Sequence, residues 1–329
     1  MTKVAIIGKQ LQLRMRNMAK DYLEENGFSV DLLNMETRNV LDWTDSLKGY
    51  NAVISCGEKF PAEVFEELKG DLKLVSRWGI GTDEIDKVKA AECGIAVCNA
   101  AGTLSTAVAE CAMALILAVI RSIPVSDSEV RNNDWSRFFE SKIGSQIEGK
   151  TVGLIGFGDI SRALARMLSG FACRVIAYDI YWNEEQAKKL NVEYADIETI
   201  QREADIISIH VPSTPQTNGM INKEFLSKLK KNAVLINTSR GKLVVPEDLA
   251  DALNNDMIAG AGMDVFFPEP PDPSNPLLTA KNTVLLPHTG AGTIECNIKC
   301  GMTAAKNVVD FFNGECVKTI LNPDYIKNK

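Results

Sequence analysis

The sequence predicts an α/β protein made of two doubly wound parallel sheets. Three observations carry that expectation. Apolar runs of strand length alternate with amphipathic helical runs along most of the chain. Two of them, "KVAIIG" at 3–8 and "TVGLIGFG" at 151–158, share one grammar: a buried strand closes on glycine just before a helix. At 329 residues the chain is also long for one domain and comfortable for two.

The elements follow in order. After the first strand, "LQLRMRNMAKDYLEENG" is an amphipathic helix stopped by Gly27. "FSVDLL", "NAVISCG" and "LKLVSRWG" are further short strands with helical stretches between them. After Gly102 the character changes. "STAVAECAMALILAVIR" reads as a long buried helix, and the polar "SIPVSDSEVRNNDWSRFFESKIGSQIEG" has no strong periodicity and exposes Trp135, Phe138 and Phe139. A second sheet then opens, with six strand candidates: "TVGLIG", "RVIAYD", "ADIISIHV", "AVLINTS", "AGAGMDVF" and "TVLLPH". The tail "IECNIKCGMTAAKNVVDFFNG" is an amphipathic helix ended by Gly314. With so short a remainder, the tail is expected to pack back on the first domain and make it discontinuous.

Composition narrows the functions. Net charge is −7, which argues against nucleic acid and anionic membranes, since both call for a basic surface. The longest apolar run, "CAMALILAVI", is too short to span a bilayer. Eight cysteines lie scattered with no Cys-x-x-Cys pair, and no clustered histidines join Cys296 and Cys300, so no metal site is expected. Free thiols suit a reducing cytoplasm. Only His210 and His288 can supply imidazole chemistry.

The chemistry-bearing residues collect at strand ends. Gly156-x-Gly158 sits between a strand and a helix, where glycine lets a pyrophosphate approach the helix N-terminus. The third small position of that fingerprint is Ser161. Asp179 closes "RVIAYD" about twenty residues on, where an acid would bond an adenosine ribose. Pro212 and Pro215 force an extended loop after His210, suited to the wall of a cofactor cleft, and His210 itself reads as structural. Arg240, Glu269 and His288 each fall just past one of three successive strands, with Asp264 nearby. A guanidinium there can grip a carboxylate in a planar fork. Imidazole titrates near neutrality and can take or give the proton of a hydroxyl while hydride moves, and a carboxylate on its other nitrogen fixes the tautomer. That combination suits oxidation and reduction at C2 of a 2-hydroxy acid.

On "SRWGIGTDEID", "VCNAAGTLSTAVAE", "GLIGFGDIS", "VIAYD", "HVPSTPQTNGMIN", "INTSRGKLV", "GMDVFFPEPP" and "LPHTGAGT", the chain resembles the D-2-hydroxyacid dehydrogenase family nearly end to end. The resemblance implies a flavodoxin-like substrate domain over 1–102 and 294–329, and a Rossmann NAD-binding domain over 103–293. It implies a homodimer built through about 105–149. Arg240, Glu269 and His288 take the catalytic roles. NAD is expected at Gly156, Gly158, Asp159, Ile160, Asp179, Val211, Pro212, Thr217, Thr238, Ser239, Asp264 and Gly290, with Asp264 on the nicotinamide carboxamide. Substrate is expected at Arg77, Trp78, Gly79, Ile80 and Arg240, in a loop that runs on to Gly81.

Two positions depart from the family pattern. Asn99-Ala100-Ala101-Gly102 lacks the family's proline, and Ser55 stands where its phosphoglycerate dehydrogenases carry an arginine. Phosphoglycerate is nevertheless the leading substrate expectation, followed by hydroxypyruvate and glyoxylate, with Arg77 and Lys59 as nearby cations. A dinucleotide-sensing corepressor of the same fold is the alternative from another class.

Overall fold

The computed structural model describes residues 1–8, 13–34, 41, 44–135 and 144–328. Two compact units divide the chain: Met1–Leu104 with Thr293–Lys329, and Ser105–Gly292.

The first unit begins with β1 (Lys3–Gly8), α1 (Leu13–Glu25), β2 (Ser29–Asn34), β3 (Ala52–Ser55), α2 (Ala62–Glu67), β4 (Leu74–Arg77), α3 (Lys87–Glu92) and β5 (Ala96–Cys98). Its strands pair in parallel in the order β2-β1-β3-β4-β5. Helices cover both faces of such a sheet, so its strands read as continuous apolar runs; Val53, Ile54, Leu74 and Val75 are fully buried. Each such side chain contributes about 1.5–3 kcal/mol of burial. Arg16 of α1 is also fully buried. Its guanidinium donates to the carbonyls of Ile6 (2.8 Å), Gly8 (3.2 Å) and Leu33 (2.9 Å) and to Asn34 Oδ1 (2.7 Å). It thereby satisfies the carboxyl ends of β1 and β2.

The second unit runs α4 (Ser105–Ile120), α5 (Ile123–Arg131), β6 (Thr151–Ile155), α6 (Asp159–Leu168), β7 (Arg174–Tyr178), α7 (Glu184–Leu190), β8 (Val192–Tyr194), α8 (Ile197–Glu203), β9 (Ile206–Ile209), α9 (Lys223–Ser227), β10 (Val234–Asn237), α10 (Pro246–Asn254), β11 (Gly260–Met263) and β12 (Thr283–Leu285). Its parallel order is β12-β11-β10-β9-β6-β7-β8. Side chains alternate across the sheet. Ile206, Val234 and Ile236 join Leu115, Ile116 and Val119 of α4, while Ile207, Ile209, Leu235 and Met263 join Leu249 and Leu253 of α10. Asn183, Asp196 and Asn222 cap α7, α8 and α9 with their side chains, each such cap being worth about 1 kcal/mol.

The chain then returns to the first unit as α11 (Ile294–Phe312), capped by the Thr293 side chain. Phe312 meets Phe28 edge-on at 5.9 Å between centroids. The last residues cover the open edge of β5. Val97 donates its amide to Asn322 Oδ1 (2.8 Å) and accepts from the Leu321 amide (2.8 Å), and Asn322 Nδ2 donates to Ile95 O (2.9 Å).

Three expectations need correction. The first sheet has a fifth strand, β5, and the second has a seventh, β8. Both are three-residue edge strands, too short to carry a periodic signal. The segment after α4 contains α5, a helix entered through Ser122 at φ 50 that buries none of its residues, so no amphipathic pattern announces it. Trp135 is exposed as read, while Phe138 and Phe139 lie outside the described residues. Among the described residues no single helix is long and apolar enough to cross a membrane.

Candidate active site

The glycine turn after β6 is shaped by close approach. Gly156 adopts φ 98, and a Cβ there would stand 2.8 Å from the backbone of His210. Gly158 caps α6, no side chain caps that helix, and a Cβ at Gly158 would stand in open space. The first amides of α6, at Asp159 and Ile160, therefore face room that a phosphate can occupy. Asp179 braces this turn from the end of β7. One carboxylate oxygen accepts from the Phe157 amide (2.6 Å) and the other from the Tyr181 amide (2.8 Å). These features fit a dinucleotide's pyrophosphate and adenosine.

The loop after β9 holds itself together. Thr217 Oγ1 donates to Pro212 O (2.6 Å) and accepts from the Thr214 amide (2.9 Å), so the Thr217 hydroxyl is engaged inside the loop that also carries Val211. Beyond β10, Asn237 is fully buried and shapes the next turn: its Nδ2 donates to Arg240 O (2.9 Å) and its Oδ1 accepts from the Ser239 amide (3.0 Å). Ser239 Oγ donates to Ile209 O (2.8 Å), while the Thr238 hydroxyl is buried without a partner. The turn thus delivers Arg240, whose Nη1 donates to Ser239 O (2.7 Å).

Glu269 and His288 form a pair, with Glu269 Oε2 2.7 Å from His288 Nδ1. Glu269 Oε1 accepts from the Phe266 amide (2.9 Å), so both oxygens are fixed. Burial pushes this carboxyl up, but the bonds from His288 and Phe266 and the charges of His288 and Arg240 outweigh it and leave it below the usual carboxylate range. His288 sits at φ 55, a left-handed conformation that costs a non-glycine residue about 1–3 kcal/mol. Its amide donates to Asp264 O (2.8 Å), which holds that geometry. The imidazole is half exposed, with Nε2 on the side away from Glu269.

Asp264 is buried and accepts from the amides of Thr289 and Gly290, both at 2.8 Å. Burial raises its carboxyl above the ordinary value despite those two bonds. β10, β11 and β12 are neighbours in the sheet, so Arg240, Glu269 and His288 follow three adjacent strands at one edge. Sequence did not disclose how closely their loops interlock. A Cβ on Gly241 would meet the Phe266 carbonyl carbon at 2.1 Å, which sets the Arg240 turn directly against the loop that carries Glu269. A glycine after the arginine was the only available hint.

The predicted substrate loop belongs to the first unit. Trp78 is buried, its ring lies against Gly301 where a Cβ would meet it at 2.2 Å, and its amide donates to Ser55 O (2.8 Å). Trp78 is therefore committed inside its own unit, and the carbonyls of Gly79 and Ile80 accept from the Ala100 amide (2.9 Å) and from Asn99 Nδ2 (3.0 Å). Arg77 donates through Nε to Gly81 O (3.0 Å) and through Nη1 to Ser55 Oγ (3.2 Å) and Glu58 O (3.3 Å). No group of three or more potential metal ligands occurs among the described residues, and Cys296 and Cys300 are buried free thiols with sulfurs 4.0 Å apart.

Residues 113–290 match the family model described as the D-isomer specific 2-hydroxyacid dehydrogenase, NAD binding domain. The chain is 36% identical over 309 residues to a glyoxylate reductase of Korarchaeum cryptofilum, covering 92% of each. It is 35% identical over 305 residues to a D-3-phosphoglycerate dehydrogenase of Archaeoglobus fulgidus, covering 92% of this chain but only 57% of that protein. The crystal structure of NAD-dependent formate dehydrogenase from Staphylococcus aureus in complex with NAD superposes with a TM-score of 0.85 at 26% identity, covering 97% of this chain and 99% of that one.

Proposed function

The chain belongs to the D-isomer-specific 2-hydroxyacid dehydrogenase family, an NAD-dependent oxidoreductase acting on the CH–OH group, and from that premise we propose that its substrate is a short, unphosphorylated 2-oxo acid such as glyoxylate or hydroxypyruvate. The observation that carries this choice is Arg77. Its guanidinium is held by Ser55 Oγ and two carbonyls, with the buried Glu58 in the same loop, so it is poorly placed to receive a phosphate. Phosphoglycerate remains the second reading, because relatives of that name match at a similar level of identity. The chain spans about half the length of those relatives.

In this reading the bound dinucleotide supplies the hydride. Arg240 binds the substrate carboxylate and polarises the C2 oxygen. His288 delivers a proton to that oxygen from Nε2, and Glu269 on Nδ1 holds the ring in the tautomer and orientation this needs. A panel of 2-oxo acids with NADH tests the choice. Catalytic efficiency for glyoxylate or hydroxypyruvate is expected to exceed that for phosphohydroxypyruvate at least about tenfold, a gap of only about 1.4 kcal/mol. The reverse order would install the phosphorylated substrate.

Asp179 bears on the choice of dinucleotide. A carboxylate fixed by two amides beside the glycine turn can accept ribose hydroxyls and repels a 2′-phosphate. Arg174, at the other end of β7, is occupied by Glu193 and Glu203 and offers that phosphate nothing. NADH is expected to outperform NADPH by about tenfold or more, and Asp179→Ser to shrink the ratio mainly by weakening NADH. Equal use of both cofactors by the unmodified protein would remove Asp179 from the ribose.

We further propose a cytoplasmic homodimer. The eight free cysteines support the compartment, and the support for association is the exposed Ile123, Val125, Val130 and Trp135 on and just beyond α5, a helix that covers none of its own residues.

A further inference from the structure

His210 stands at the end of β9 with both ring nitrogens buried and without a partner among the described residues. It is not isolated. Ser208 Oγ, two residues earlier, is likewise buried and unpaired, and so is Thr238 Oγ1. Among the described residues, half of the eight buried side-chain atoms without partners therefore lie in this one patch. Orphaned polar atoms are rare in folded proteins, and each costs about 1–3 kcal/mol unless something completes it.

The register explains the grouping. Ile209 pairs with Ile155 on one side and Asn237 on the other, and Asn237 pairs with Met263. One residue further along, Gly156, His210, Thr238 and Asp264 make a row across β6, β9, β10 and β11. Strand alternation places this row on the α4 face, the side that buries Ile206, Val234 and Ile236. Asp264 obeys that rule, since its charge helps burial push the Cys111 thiol of α4 up to about 11. The row thus begins at the glycine turn and ends at Asp264. Asp179 lies on the opposite side of the turn, past β7.

We propose that His210 is a positioning residue for the nicotinamide riboside half of the dinucleotide, its ring nitrogens completing hydrogen bonds to the hydroxyl or amide groups of that half. Order along the sheet supports this: Asp179 marks the adenosine side, Gly156 the pyrophosphate, and the next strand outward presents His210. Protonation supports it too. Burial alone takes the ring down to about 4, so near neutrality it is uncharged and offers one donor and one acceptor. Hydroxyl and carboxamide groups need that mixture. Asp264, which only accepts when ionised, cannot supply it. The inference rests on NAD dependence but not on which acid is reduced.

Binding and stability together test it, without turnover. In His210→Phe the orphaned nitrogens are gone, so the cofactor-free protein is expected to melt at the same temperature as the original or higher. Its Kd for NADH, measured by calorimetry, is expected to rise about tenfold, the worth of a completed buried hydrogen bond. The Kd for ADP, which lacks the nicotinamide riboside, should stay within about twofold, a difference under about 0.5 kcal/mol. Either His210→Asn or His210→Gln, which set an amide near the Nδ1 or Nε2 position, should recover most of the NADH affinity. Unchanged NADH affinity in His210→Phe would overturn the proposal, as would parallel loss of NADH and ADP. If His210→Phe does not fold, the amide variants decide: weakened NADH with normal ADP in the poorer of the two supports the role, and normal NADH in both refutes it.

Discussion

Replacing His288 with alanine is expected to lower turnover by about a hundredfold to ten-thousandfold, the usual worth of a positioned acid–base group. The geometry leaves little to take over its work. Glu269 is the partner at 2.7 Å, but its other oxygen is held by the Phe266 amide and its carboxyl lies below the usual range, so it is a poor proton donor near neutrality. The other histidine, His210, has its nitrogens buried. The loss should fall mainly on kcat, because the proton moves in the transition state and not on binding. NADH affinity should be unchanged, since the glycine turn, Asp179 and Asp264 are untouched. The fold should stay intact, since alanine at φ 55 keeps the backbone bond to Asp264 and meets the same backbone cost as histidine. A well-folded variant with near-normal kcat would take His288 out of the mechanism.

Removing the guanidinium of Arg240 is the second large effect. Arg240→Ala should reduce catalytic efficiency by about a hundredfold to a thousandfold, typical for one preorganised donor at a developing oxyanion. Arg240→Lys should recover little of it. The turn built by Asn237 and the packing of Gly241 on Phe266 fix the backbone from which the side chain departs, and an ammonium from that backbone presents one point charge where a planar pair of donors is needed. A carboxylate inhibitor such as oxamate should weaken in step with substrate, while NADH affinity stays within a few-fold. If inhibitor and NADH weaken equally, Arg240 supports cofactor or fold instead.

What the sequence disclosed, and what it withheld, follows from where each signal is stored. Central strands bury both faces and so write continuous apolar runs; "AVLINTS" was readable as β10 for that reason, and Arg240 beside it was conspicuous against it. Glu269 and His288 were legible because each follows such a run. The missed strands are β5 and β8, three residues long and last in their sheets. In β8 only Val192 is buried, so alternation never develops. α5 was invisible because a helix that buries nothing has no stripe. The interlocking of Gly241 with Phe266, the bracing of Phe157 by Asp179 and the unpaired ring of His210 are contacts between residues 22 or more apart or unmet needs of single atoms. No local pattern records either kind of fact.

The covering of β5 by the chain's last residues carries a consequence for synthesis. The first unit acquires its five strands early, but α11 and the residues that bond Val97 and Ile95 come after the whole of Ser105–Gly292. At the ribosome's usual ~5–20 residues per second, that interval lasts about 10–40 s. For that time the nascent first half has an unpaired parallel edge and the surface that α11 will bury, both invitations to association with another chain. The second unit suffers no such delay, because it is contiguous and can close as soon as it emerges. The two units should therefore mature in reverse order of their first appearance, and slowing translation before residue 293 would lengthen only the first unit's exposure.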